Sequence, residues 1–190
     1  MRVRNGGFTL PEVVIAVLVL AIGIIGAAGA QLTALRTRQQ SRLTSDAVQL
    51  AAGLADRMRA NRAQMRSPDA ANPYLQLRYD SAQDGAPQPG ARLCYAGAGC
   101  DSAQLAQFDS FELKQALHAG FPAARALVCR DTELRSADDA ALNWSCSGGA
   151  GAPLVIKIGW RARLPGGAAA SDDGAPFPPL VAMVVDGAAP

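Results

Sequence analysis

The chain has 190 residues, of which 49% are hydrophobic and only 5% aromatic, and its formal charge is +2. A chain of this length has room for about one domain once a membrane segment is set aside. Its near-neutral charge and scattered arginines give no support for nucleic acid as a partner.

The amino terminus begins with a short basic leader that ends in two glycines. Arg2 and Arg4 supply the charge of this leader, and Gly7 ends it. An apolar run of membrane-spanning length begins at Phe8, and Glu12 is the charged residue within it. An acidic side chain costs roughly 2.5–3.5 kcal/mol at the centre of a membrane and less towards its edge. Glu12 is therefore predicted to have a function.

The string Gly-Gly-Phe-Thr-Leu-Pro-Glu over residues 6–12, followed by the apolar run, resembles the class III signal of type IV prepilins and type II secretion pseudopilins. The resemblance implies that a prepilin peptidase cuts after Gly7 and that the new amino terminus, Phe8, is methylated. It also implies that Glu12 pairs with the amino terminus of a neighbouring subunit during assembly. Such pairing offsets part of the cost of placing charges in an apolar environment.

Other interpretations of the amino terminus stay open. An ordinary secretory signal peptide would have the same basic start, and its cleavage site would lie near Ala30. Glu12 stands where the apolar core of such a peptide should begin, which disfavours this interpretation. A plain amino-terminal membrane anchor is a further alternative. Glu12 itself could also be a solvated acid at a helix start, where the helix dipole favours negative charge.

Pro11 departs from the commoner prepilin pattern, in which an aliphatic residue occupies this position. The first four N–H groups of a helix have no internal partner, so a proline in the first turn removes no backbone bond. A helix that begins at Phe8 meets this condition, whereas a helix that begins in the leader would not. Pro11 therefore favours cleavage after Gly7.

The helical pattern continues beyond the apolar run. Apolar residues recur at three- and four-residue spacing as far as Asn61, and no proline occurs between Pro11 and Pro68. One helix is predicted over about residues 8–65, roughly 85 Å long at 1.5 Å per residue, of which about 30 Å crosses the hydrocarbon core. The predicted divisions are a leader over residues 1–7, a membrane and assembly helix over 8–30, its amphipathic continuation over 31–66 and a head over 67–190.

A second resemblance lies near the end of this helix, where residues 56–62 read Asp-Arg-Met-Arg-Ala-Asn-Arg. The string resembles the end of the long helix in PilV-type minor pilins. Basic residues near a helix carboxyl end also complement the helix dipole, but that effect does not account for the whole ordered string. The resemblance favours a minor pilin of a type IV pilus over a type II secretion pseudopilin, which stays open as the alternative.

The remaining chain is predicted to form the head of an α+β, pilin-like fold. Residues 67–73 are rich in turn formers, a strand is predicted over residues 74–79, and a helix over residues 102–119. Residues 154–164 alternate between apolar side chains and basic ones such as Lys157, which predicts a strand with one apolar and one basic face. Residues 180–185 supply a partner strand for a small antiparallel sheet.

Four cysteines, Cys94, Cys100, Cys129 and Cys146, follow the apolar run. With the leader arginines in the cytoplasm the head faces the oxidising periplasm, where an even number of cysteines predicts two disulfides. Three connectivities satisfy four cysteines, and we prefer the local pairs Cys94–Cys100 and Cys129–Cys146, each worth roughly 2–3 kcal/mol. A zinc site fits less well, because the spacings are not those of zinc ligands and His118 is the single histidine.

The sequence contains no catalytic motif, so we predict a structural protein that is not an enzyme and uses no cofactor, metal or small-molecule substrate. The resemblance implies as partners the prepilin peptidase, other minor pilins, the major pilin and the inner-membrane assembly platform. It implies a single-pass inner-membrane protein with a cytoplasmic amino terminus and a periplasmic head, which then enters the pilus (fimbrium). Its roles would be piliation, adhesion and twitching motility. A secreted binding module, released by cleavage near Ala30, is the further alternative.

Overall fold

A computed structural model describes residues 7, 9–89, 94–95, 99–136, 141–149, 151–161 and 177–185. The helices are α1 (Leu10–Ala60), α2 (Arg62–Met65) and α3 (Ser102–Gly120), with 3₁₀ turns over Asp69–Ala71 and Pro73–Gln76. The strands are β1 (Arg78–Asp80), β2 (Arg125–Arg130), β3 (Leu154–Gly159) and β4 (Val181–Val185). The chain divides into two compact units, Met1–Gln39 and Gln40–Pro190.

The four strands form one antiparallel sheet in the order β1-β2-β3-β4. In the middle of the sheet, β3 pairs with β2 from Arg130↔Leu154 to Arg125↔Gly159 and with β4 along its other side. The second half of α1, α3 and one face of the sheet enclose a single hydrophobic core. The predicted α+β, pilin-like architecture is confirmed.

The two units use α1 differently. In the first unit every described side chain of the helix is exposed. In the second unit one stripe of the helix enters the core, and its fully covered members are Ala47, Ala51, Leu54, Ala55 and Met58. Their three- and four-residue spacing is that of an amphipathic helix face, so the structure has the apolar stripe that the sequence predicts.

The prediction of one helix as far as residue 65 is wrong at Asn61. This residue has φ −85° and ψ 61°, so α1 ends at Ala60 and the four-residue α2 follows. The Asn61 side-chain amide donates to the Ser102 carbonyl at 2.8 Å and faces the Tyr74 hydroxyl at 3.4 Å. Because these contacts come from distant parts of the chain, the local helical pattern did not reveal the break.

The prediction of a strand over residues 74–79 is also wrong. Pro73–Gln76 forms a 3₁₀ turn, and β1 begins only at Arg78. The Asn72 side chain accepts the Tyr74 N–H at 3.0 Å, and proline in the first turn suits the helical φ. The helix predicted over residues 102–119 is confirmed as α3, which opens with a capping box between Asp101 and Gln104.

The strand predicted over residues 154–164 is shorter in the structure than the sequence predicts, and its pattern of burial also differs from the prediction. It ends at Gly159, all six of its residues are buried, and residues 162–164 lie outside the described part of the chain. Lys157 is 0% exposed, so the predicted basic, solvent-facing side of this strand is wrong. Residues 141–149, which we call the strap, contribute the carbonyls that contact the Lys157 amine. The partner strand predicted over residues 180–185 is confirmed as β4.

Candidate assembly and anchoring sites

The start of α1 is organised by Thr9 and Glu12. The Thr9 carbonyl accepts the N–H groups of Glu12 at 3.0 Å and Val13 at 3.3 Å. In return the Thr9 N–H faces the Glu12 carboxylate at 3.5 Å, a long contact. Thr-x-x-Glu is a capping-box sequence, and a carboxylate in the first turn also faces the positive end of the helix dipole. Sequence reasoning considered the helix dipole at this position but missed the Thr-x-x-Glu capping motif, which was readable.

Pro11 is the second residue of α1, so its missing N–H removes no backbone bond. Among the described residues α1 begins at Leu10, so Pro11 lies in its first turn, as the sequence argument requires. Cleavage after Gly7 stays a prediction. Gly7 is described and exposed, whereas Phe8 lies outside the described residues.

The first part of α1 presents an apolar surface on all sides. Large side chains such as Leu10 and Ile25 are 80% and 73% exposed, and none of the described residues of this unit is buried. The helix contains an 18-residue stretch that is long and apolar enough to cross a membrane. An exposed apolar surface of this extent indicates burial in a bilayer or against other helices.

The string over residues 56–62 lies where α1 meets α3. Arg57 donates to the Asp109 carboxylate at 3.2 Å and to Glu112, and Tyr74 donates its hydroxyl proton to the other oxygen of Asp109 at 2.6 Å. Burial, together with the hydrogen bond to Asp109, raises the pKa of Tyr74 well above its usual range. We call Arg57, Asn61, Tyr74 and Asp109 the latch.

Other members of the same string have separate places in the fold. Met58 is fully buried in the core, whereas Arg59 pairs with Asp56 at 2.8 Å on the surface. The ordered string thus ends α1, fills the core and ties the helix to α3. Charge complementarity with the helix dipole, the alternative weighed from the sequence, accounts for none of these specific contacts.

A buried ion pair joins β3 to the chain that follows β2. The Lys157 amine lies 2.5 Å from the Asp131 carboxylate, and both side chains are 0% exposed. Lys157 also donates to the strap carbonyls of Asn143 at 2.8 Å and Ser145 at 2.5 Å. A buried charge is tolerated when it is paired and its remaining hydrogen bonds are made.

Asp131 is held in its charged form by several donors. Its Oδ1 accepts the N–H of Glu133 at 2.9 Å and the N–H and hydroxyl of Ser147 at 3.1 Å and 2.9 Å. Burial raises the pKa of Asp131, but the hydrogen bonds from Lys157, the two N–H groups and the hydroxyl outweigh it and hold the pKa at about 2. The Asp131 carboxylate therefore stays ionised at neutral pH.

A disulfide, a hydrogen bond and a cation–π contact also hold the strap. A disulfide joins Cys129 on β2 to Cys146 in the strap. The indole of Trp144 donates to the Phe177 carbonyl at 2.6 Å, and Arg125 lies 4.7 Å above its ring. A Cβ at Gly159 would lie 2.9 Å from this ring, so only glycine lets the indole approach the strand so closely.

The second disulfide joins Cys94 to Cys100, so both bonds follow the local pairing preferred from the sequence. No group of three or more histidines, cysteines or acids that could hold a metal occurs among the described residues. His118 lies in the last turn of α3, and its Nδ1 is 2.9 Å from the Tyr79 hydroxyl.

Two family models match the chain in succession. The prokaryotic N-terminal methylation motif matches residues 2–28, and the family described as type IV pilin Tt1218 (Tt1218-like) matches residues 29–111. No curated protein and no solved structure matches the chain significantly. The first match contains Gly7, Phe8 and Glu12, and the second contains the latch. The chain is a type IV pilin-like protein.

Proposed function

We propose that this pilin subunit is a minor pilin that primes or caps type IV pilus assembly and thereby supports piliation, adhesion and twitching motility. The observation that carries the proposal is the methylation motif over residues 2–28, which runs directly into the pilin match over residues 29–111. The PilV-type string over residues 56–62 favours a minor pilin within this family. Pilins are structural subunits, so the protein acts by assembly and not by catalysis.

The proposal includes processing of the leader. A prepilin peptidase cuts between Gly7 and Phe8 and methylates the new amino terminus, as the methylation-motif match supports. The capping contact between Thr9 and Glu12 lies just beyond the cut, so removal of residues 1–7 leaves the start of α1 intact.

In this proposal Glu12 pairs with the amino terminus of a neighbouring subunit. The residue is exposed on its own chain, and its described contact is the long one to the Thr9 N–H. Its carboxylate is therefore accessible to the amine of a second subunit. Pairing of the two charges offsets the cost of bringing each into an apolar environment.

The proposed location is the inner membrane, with one crossing, a cytoplasmic amino terminus and a periplasmic head, followed by the pilus. The apolar stretch of α1 supports the crossing, and the two disulfides suit an oxidising compartment. The proposed partners are the prepilin peptidase, other minor pilins, the major pilin and the assembly platform.

A deletion in the source bacterium tests the proposal. We expect loss of surface pili and twitching, with restoration by the wild-type gene and unchanged secretion of exoproteins. Lost secretion with normal pili would identify a type II secretion pseudopilin instead. If both functions are normal and the mature protein begins at Gln31, the secreted binding module replaces the pilin proposal.

A further inference from the structure

Two arginines, Arg36 and Arg38, follow the apolar stretch of α1 within the unit Met1–Gln39. Both side chains are exposed. No acidic residue occurs over residues 13–45, so neither guanidinium has a carboxylate within one turn of the helix. This stretch of α1 therefore places two positive charges next to an apolar surface without an acid of its own to offset them.

The two arginine side chains leave α1 in opposite directions. Residues two apart lie about 200° apart around the axis of an α-helix, which has 3.6 residues per turn. A partner that packs on one face of the helix can therefore contact Arg36 or Arg38 but not both. A surrounding that encloses the helix can contact both, and the surface of a bilayer around a membrane-spanning helix is such a surrounding.

Both arginines can reach the phospholipid headgroups when the apolar stretch of α1 crosses a bilayer. From Leu10 to Ala30 the helix is about 30 Å long, which equals the thickness of the hydrocarbon core. The headgroups add about 5–8 Å on each side, and the Cα atoms of Arg36 and Arg38 lie roughly 9 and 12 Å beyond Ala30. Side chains of a helix lean towards its amino terminus, so both guanidiniums point back towards the headgroup layer.

The turn of helix before the arginines also suits the headgroup layer. The Thr33 hydroxyl donates to the Gly29 carbonyl at 3.2 Å, and the Thr37 hydroxyl donates to the Thr33 carbonyl at 3.1 Å. Because these two hydroxyl donors have partners within the helix, they lose no hydrogen bond when lipid replaces the water around them. The charges of Arg36 and Arg38 are then the groups of this turn that still need a polar partner.

We propose that Arg36 and Arg38 bind the headgroups of anionic phospholipids and form a lipid site around α1, where the helix leaves the hydrocarbon core. Each guanidinium can donate charge-assisted hydrogen bonds to phosphate oxygens. A basic residue near a membrane surface attracts anionic lipids. The inference rests on the membrane crossing in the proposed function, and it holds for either leaflet of the bilayer.

Native mass spectrometry of the full-length protein tests the lipid site. The protein is extracted from membranes in mild detergent and mixed with equal amounts of anionic phosphatidylglycerol and zwitterionic phosphatidylcholine. About 1 kcal/mol for each basic residue near a membrane surface corresponds to a factor of about five in the bound lipid. We expect phosphatidylglycerol to be enriched on the wild type, and Arg36→Gln and Arg38→Gln each to lower this enrichment about fivefold.

Two further variants separate lipid binding from the total charge and from folding. Arg66→Gln combined with Arg78→Gln is the matched control, because it removes the same charge from exposed arginines of the second unit. We expect this control to enrich phosphatidylglycerol as the wild type does. Arg36→Lys combined with Arg38→Lys keeps both charges and should retain the enrichment. The urea midpoint should be the same for all of these variants.

The outcomes separate two failures. If alkaline carbonate releases the full-length protein from membranes, the crossing in the proposed function is wrong and the lipid site is wrong with it. If the protein stays in membranes but the wild type does not enrich phosphatidylglycerol, or the matched control loses the enrichment equally, the lipid site alone is wrong. A loss caused by only one of the two arginines would also overturn the site, because it indicates a partner on one face of the helix.

Discussion

The two parts of α1 have the same secondary structure but depend on different surroundings. From Leu10 to Gln39 every described side chain is exposed, although most of the stretch is apolar. From Gln40 to Ala60 one stripe is buried in the hydrophobic core, which also contains residues of α3 and the sheet. The second part is stabilised within its own chain, whereas the first part needs a membrane or other subunits.

The charged side chains of the two parts of α1 also differ in whether they make contacts within their own chain. In the first part Glu12 makes one long local contact and remains accessible. In the second part Arg57 is tied to Asp109 and Glu112 within the chain. The comparison teaches that Glu12 in the first part is available to a partner, whereas Asp109 of the latch is committed to the fold.

Replacement of Glu12 by alanine is expected to have the largest effect, because the proposed pairing with a neighbouring amino terminus is lost. We expect the variant to enter the membrane and fold normally but to be absent from sheared pili by immunoblotting. Asp56→Ala is the matched control, since Asp56 is an exposed acid in the second part of α1. If the Glu12→Ala variant enters pili as the wild type does, Glu12 does not pair with a neighbouring amino terminus. The proposed difference between the two parts of α1 would then be wrong.

Loss of Lys157 is expected to destabilise the head strongly. Lys157→Met leaves the buried carboxylate of Asp131 without its cation, which typically costs about 3–5 kcal/mol. Equilibrium urea unfolding of the full-length chain in detergent measures the change. Arg78→Met, an exposed cation on β1, should stay within about 0.5 kcal/mol of the wild type. A similar small effect for Lys157→Met would show that the ion pair is not buried.

Tyr74→Phe tests the latch. It removes the hydroxyl that donates to the Asp109 carboxylate at 2.6 Å, and hydrogen bonds to charged groups contribute about 1.5–3 kcal/mol. The same unfolding experiment should show a loss of that size. Tyr95→Phe is the control, because Tyr95 is 55% exposed. Equal stabilities of the two variants would mean that the latch does not hold α1 to α3.

The pH dependence of stability is expected to be smaller and to come in part from Asp131. Its folded-state pKa of about 2 lies below the value of about 3.9 expected in the unfolded chain. The contribution of Asp131 to the free energy of unfolding is therefore complete above about pH 4, and it is lost as the pH falls towards 2. The stability difference between wild type and Asp131→Asn should shrink over this range. If the difference in unfolding free energy between the two proteins stays constant from pH 4 to pH 2, Asp131 does not have a folded-state pKa of about 2.

The local patterns predicted much of this fold. The three- and four-residue spacing predicted the buried stripe of α1, which includes Ala47, Leu54 and Met58. Local stop signals predicted the end of α3, alternation predicted the position of β3, and residues 180–185 were predicted as its partner strand. Each of these features depends on residues that are close together in the sequence, so it can be predicted from one sequence alone.

The features that sequence reasoning missed depend on distant residues. Lys157 has the position of a solvent-facing lysine in its strand, and it is buried because Asp131 and the strap carbonyls reach it. Asn61 ends α1 through contacts with Ser102 and Tyr74. The Thr9–Glu12 capping contact was readable from the sequence but was overlooked beside the prepilin resemblance.

The most direct test of the central claim is the mature amino terminus of the membrane-extracted protein, determined by sequencing and intact mass. The proposal that α1 begins as a processed pilin helix predicts a chain that starts at Phe8 and carries one added methyl group. A chain that starts at Gln31, or that retains Met1, would contradict it and would leave Glu12 without its proposed partner.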